Sequence, residues 1–117
     1  MKSIKLKNIK TEEIAVLWEQ ISCFIHDKSL ELKSAKKDNT AFYISFILID
    51  VLGRLTYKLR NKMERNFKKS FSISFTISEA SALLLLCFQE LSHLTDYQRN
   101  VLLKTRNSID EQLTNLI

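Results

Sequence analysis

The sequence predicts a mainly helical fold with a minor β component, about four helices and two short strands in the order β-α-α-β-α-α. Three observations predict it. Apolar residues recur every three or four places in four separate segments, as they do on amphipathic helices. Breakers are scarce, with no proline and a single glycine, Gly53, in 117 residues, which favours long helices joined by short polar loops. Two further segments alternate apolar and polar residues at period two, the pattern of half-buried strands.

In order, Ile4 and Leu6 alternate with lysines in SIKLKNI, residues 3–9, a short strand. Thr11 is placed to cap the next helix, with Glu12 and Glu13 in its positively polarised first turn. Ile14, Leu17, Trp18, Ile21, Phe24 and Ile25 form one apolar stripe, predicting a helix over about residues 12–26. The polar run DKSLELKSAKKDN, residues 27–39, reads as a loop or frayed extension, with Asp38 or Asn39 capping the second helix. That helix is predicted from about Thr40 to Phe67. Its opening, AFYISFILIDVL, is apolar nearly all round, as a helix in a core or an interface would be. Gly53 inside it costs about 1 kcal/mol relative to alanine; a close helix crossing or a bend would explain it, and a merely tolerated glycine is the alternative.

Residues 70–78, SFSISFTIS, set Phe71, Ile73, Phe75 and Ile77 on one face of a second strand, with hydroxyls on the other. Ser78 reads as the cap of a third helix whose buried face is Ala80, Leu83, Leu84, Cys87, Phe88 and Leu91, widened by Leu85 and Leu86. Thr95 and Gln98 have capping-box spacing for a fourth helix, from about Asp96 to Leu116. Lys2-Ser3 and Lys69-Ser70 precede the two strands in like fashion, so the halves read as a candidate pseudo-repeat. The two strands need partners for their backbone groups, each other or a second copy of the chain.

Length suits one domain spanning residues 1–117. Two cysteines, Cys23 and Cys87, fit reduced thiols rather than a secreted disulfide framework. The N-terminus MKSIKLKNIK lacks an apolar signal region, and Ala41–Leu52 is too short for a bilayer and holds Asp50, so a cytoplasmic protein is expected. Scarce glycine removes the phosphate cradles of Rossmann and P-loop enzymes.

Net charge is +5, and residues 54–69 hold seven basic groups against one acid, so the basicity is local. At 100° per residue Arg54, Lys58, Lys62, Arg65 and Lys69 share one helical arc with Lys68 beside it. Such a stripe can attract phosphates, although a charged face is most often plain solvated surface. Cys23, His26, Cys87 and His93 do not converge on helical geometry, so no metal site is read, and no cofactor. No nucleophile, base and orienting group fall together, so no catalytic residue is named. Trp18, Phe42, Phe46, Phe71 and Phe75 are expected in the core. If the Phe71, Ile73, Phe75 and Ile77 face is exposed instead, it marks an interface along with Phe42 and Phe46.

The sequence therefore points to a non-catalytic interaction or assembly protein that associates with itself or another protein. The alternative is a small nucleic-acid-binding accessory protein using the basic stripe. Its lysine-, asparagine- and isoleucine-rich composition suits a bacterial or phage accessory protein.

Overall fold

In a computed structural model, which describes residues 3–34, 40–65, 70–89 and 94–116, the elements follow the expected order. They are β1 (Ile4–Ile9), α1 (Thr11–Ser34), α2 (Thr40–Arg65), β2 (Phe71–Phe75), α3 (Ile77–Cys87) and α4 (Asp96–Thr114). The two strands pair with each other, antiparallel.

Three boundaries differ from the sequence reading. First, α1 runs on to Ser34, so of the two readings of residues 27–39, loop or frayed extension, the helical extension holds as far as residue 34. Leu32 keeps the apolar spacing there and is half-buried, Ser29 Oγ donates to the Ile25 carbonyl, and Lys28 pairs with Glu31 one turn on. Second, its cap is Lys10 rather than Thr11. The Ile14 amide donates to the Lys10 carbonyl, and Glu13 Oε1 accepts from the Lys10 amide at 2.9 Å. Third, β2 stops at Phe75, because Thr76 closes a capping box with Glu79 and starts α3 two residues before Ser78. Ile77 is therefore helical. The capping box of Thr95 and Gln98 forms as its spacing predicts.

The strand register is that of an approximate twofold axis. Leu6 pairs with Ile73, Ile4 with Phe75 and Ile9 with Phe71. Leu6 and Ile73 each lie three places after the serine that opens their half, so the central rung pairs equivalent residues. β1 has one residue more, taken up by a bulge between Leu6 and Ile9. Asn8 sits in that bulge at φ 55°, a left-handed conformation that asparagine tolerates better than most side chains.

The helices follow the same relation. Glu13, Ile14, Val16, Leu17 and Gln20 of α1 are buried. Their counterparts in α3 are Glu79, Ala80, Ala82, Leu83 and Leu86, of which the four apolar ones are buried. Leu55 and Leu59 of α2 correspond to Val101 and Thr105 of α4, all buried. The apolar members, together with Ile4, Leu6, Ile73 and Phe75, make one hydrophobic cluster between the sheet and the four helices.

Ion pairs cross the axis. Glu13 at the start of α1 accepts from Lys104 Nζ of α4 at 3.0 Å, and Glu79 at the start of α3 accepts from Lys58 Nζ of α2 at 2.8 Å. Each glutamate also accepts from its own cap backbone. Burial raises the Glu13 carboxyl pKa, but the Lys10 amide and the Lys104 ammonium outweigh it and hold the carboxyl below the ordinary glutamate range. Glu79 is lowered in the same way, with burial opposed by Lys58 and the Thr76 amide.

Both sheet edges are engaged at the rung pairing Lys5 with Ser74. On the β1 side the Gln112 amide of α4 accepts from the Lys5 amide at 2.9 Å and donates to the Lys5 carbonyl at 2.7 Å. On the β2 side Lys58 Nζ donates to the Ser74 carbonyl at 2.9 Å. Helices thus satisfy backbone groups that an open strand edge would offer to another chain.

Candidate interaction surface

The two halves match over the core but not in length. α1 outruns α3, and α2 begins about ten residues earlier, relative to the Lys58 and Lys104 positions, than α4 does. The surplus is the end of α1 together with the segment TAFYISFILI of α2. In that surplus α2 is packed along one side only. Phe42, Ser45, Leu48 and Ile49 are half-buried, whereas Tyr43, Ile44, Phe46 and Ile47 are exposed.

The exposure is large for such residues, at 57% for Tyr43, 51% for Phe46 and 62% for Ile47. Phe42 meets Phe46 edge-on at 4.9 Å between ring centroids and Tyr43 at 5.5 Å, which fixes the aromatic part of the patch. Leu30 in the surplus of α1 is half exposed as well. At 100° per residue Phe46, Tyr43, Ile47 and Ile44 sweep an arc of about 160°. No side chain of residues 40–49 is charged. The first charges beyond it on the outward face are Asp50 and Arg54, which pair with each other.

Of the interface residues expected from sequence, Phe46 is in this patch and Phe42 beneath it. Ile73 and Phe75 are core residues, 0% and 1% exposed, because the helices of the same chain cover that face of the sheet, so the condition for reading it as an interface is not met at these two positions. Ile77 is exposed, in the first turn of α3 rather than on the strand. The backbone of Phe71 pairs with Ile9; its side chain lies outside the described part. Periodicity does not single out Tyr43, Ile44, Ile47 or Leu30. Their signal is an apolar run on every helical face, but which face stays open depends on the unequal lengths of the two hairpins.

Of the basic stripe, Arg54 and Lys58 are engaged within the chain. Arg54 pairs with Asp50 at 2.5 Å. Lys58 holds Glu79 and Ser74 and lies 5.8 Å from the centre of the Phe75 ring, so its charge is part of the core's edge. Lys62 is half-buried. The side chain of Arg65, and Lys68 and Lys69 entirely, lie outside the described residues. Off the stripe, Arg60 pairs with Glu64.

A second, sparser apolar stripe runs along α3, where Ile77, Leu85 and Phe88 are exposed. For Leu85 and Phe88 this corrects the buried face expected from spacing. Arg106 of α4 lies 4.4 Å from the centre of the Phe88 ring and stacks over it. Trp18, also expected in the core, is exposed on α1. Cys87 is half-buried and burial pushes its thiol up to about 12, while Cys23 and His26 are exposed; His93 lies outside the described residues. Among the described residues no group of three His, Cys, Asp or Glu converges on a metal position. A shallow polar depression of about 400 Å³ lies between β1 and the end of α4, lined by Lys5, Lys7, Ser108, Glu111, Gln112 and Asn115.

Thr40–Glu64 is long and apolar enough to cross a membrane by length and composition, a longer span than the twelve residues singled out in the sequence. Leu52, Leu55 and Leu59 within it are nonetheless fully buried in the core, so the helix cannot enter lipid along its whole length without dismantling that core. No family model matches the chain, and no curated protein or solved structure matches it significantly.

Proposed function

We propose that this chain is a non-catalytic assembly protein that acts by self-association in the cytoplasm, through the open apolar face of the first half of α2. The observation that carries the reading is the run Tyr43, Ile44, Phe46 and Ile47, four large apolar residues exposed side by side. Water disfavours such a surface, and contiguous patches of this kind mark binding sites in soluble proteins. Two cysteines without a disulfide fit a reducing compartment.

The nucleic-acid reading has less support. Its central cation, Lys58, is committed to Glu79 and Ser74, and the exposed face of α2 opens with aromatic and aliphatic groups rather than cations. Light scattering across a hundredfold range of protein concentration tests the assembly reading. The expected result is a mass that rises with concentration; a strict monomer throughout would overturn it.

A further inference from the structure

We infer that self-association pairs two copies of α2 antiparallel about a twofold axis at the level of Ser45, the middle of the run Tyr43–Ile47, so that the patch of each chain covers the patch of the other. The inference rests on the assembly reading above and adds its occupant and geometry.

Area favours a second copy. From their exposures, Leu30, Tyr43, Ile44, Phe46 and Ile47 leave roughly 500 Å² of surface open per chain, taking aromatic side chains at 150–250 Å² and aliphatic ones slightly less. An isologous contact uses the patch twice and so removes roughly 1,000 Å² in total, the threshold for a specific but weak interface. One such patch against an unrelated flat surface would need the partner to match it in apolar area. A copy does so by construction.

Charge sets the direction. Residues 54–65 of α2 carry five basic groups against one acid, and a parallel pairing would lay these segments side by side. Antiparallel pairing about the level of Ser45 puts their centres about 45 Å apart at 1.5 Å per residue, several screening lengths at physiological salt. Only uncharged side chains then meet near the axis, and Asp50 and Arg54 fall at the rim, where paired charges are tolerated.

Spin labels test this in the full chain with Cys23→Ser and Cys87→Ala. Thr40→Cys and Asn61→Cys are labelled one at a time, both sites being exposed, and intermolecular distances are read by pulsed dipolar spectroscopy. About 15–20 Å at residue 40 and about 45–50 Å at residue 61 are expected. Equal short distances at both sites mean a parallel pair and overturn the inference. In parallel, Phe46→Asp with Ile47→Asp should weaken association about tenfold or more, while Leu85→Asp leaves it unchanged. The converse would move the contact to α3 and overturn the inference while leaving the assembly reading intact. A wild-type chain that stays monomeric yet sediments with phosphatidylglycerol vesicles, and loses this in the Asp variant, would assign the face to lipid and overturn both. A monomer that binds no vesicles overturns both as well.

Discussion

The first β-α-α unit and the second share one plan, and they differ mainly in what the first adds. Where they match, position for position, they build the cluster between sheet and helices, with Leu17 answering Leu83 and Leu55 answering Val101. Where the first continues past the second, its helices have only each other to pack against, and one side of α2 is left bare. The core thus comes from the repeated part and the candidate docking face from the unrepeated part. Hydrophobic pattern alone does not distinguish the two uses. Leu52 and Ile47 sit five residues apart on one helix, the first fully buried and the second 62% exposed.

The widest contrast between the halves should be chemical. Each carries one cysteine, exposed Cys23 in the first and half-buried Cys87 in the second. With its pKa at about 12, Cys87 is thiolate to only about one part in ten thousand at pH 8. A disulfide reagent should therefore modify Cys23 first, with Cys87 at least about a hundredfold slower. Two equal rates would show that the α3 end of the core opens readily.

Matched core positions come next. Leu59→Ala should cost about 3 kcal/mol in denaturant unfolding, as a large buried side chain removed from a packed site does. Its counterpart Thr105→Ala should cost about 1 kcal/mol, since Thr105 buries less apolar volume and its hydroxyl donates only to the Val101 carbonyl of its own helix. Equal costs would break the correspondence between α2 and α4.

The crossed ion pairs should behave alike. Glu13→Gln and Glu79→Gln are each expected to lower stability by about 1 kcal/mol at pH 7. Both carboxyls are held below the ordinary glutamate value of 4.5 in the folded chain. Their contribution is therefore present above the unfolded pKa and lost as the pH falls through the lower folded value. Unfolding of wild type and variants compared at pH 7 and at successive steps below about pH 4.5 should show the gap closing. A gap that widens on acidification would contradict the assigned pairs.

The smallest effect is expected at Gly53. Apart from its chain neighbours and its own helix backbone, no atom of the described residues lies within 4 Å of where its Cβ would be, so no close crossing among them requires glycine there. Gly53→Ala should raise the thermal midpoint, by about 0.5–1 kcal/mol of stability. A loss instead would mean that a neighbouring chain packs against this turn of α2.

Much of this architecture is legible in the sequence. Element order, the helical stripes and the capping box of Thr95 and Gln98 follow from local spacing, and local spacing is what one chain displays. Thr76 and Glu79 have the same capping spacing, but Ile77 continues the alternation of β2 and extends the apparent strand two residues too far. The basic residues of α2 do share one arc in sequence. Their fate is not visible there, because the partner of Lys58 lies in a different half of the chain. The open face is half visible: AFYISFILIDVL shows apolar groups all round, but covering one side takes α1 alone, and covering the rest would take elements whose reach the sequence does not state.

The pairing of β1 with β2 also has a price in time. A ribosome adding about 5–20 residues per second would complete Ile4–Ile9 several seconds before Phe71–Phe75 exists to lie beside it. Throughout that interval the nascent chain holds an unmatched strand, joined towards its end by the bare side of α2. The lysines that alternate with Ile4 and Leu6 are the residue type that discourages stray strand addition, and they would guard β1 until its proper neighbour is made.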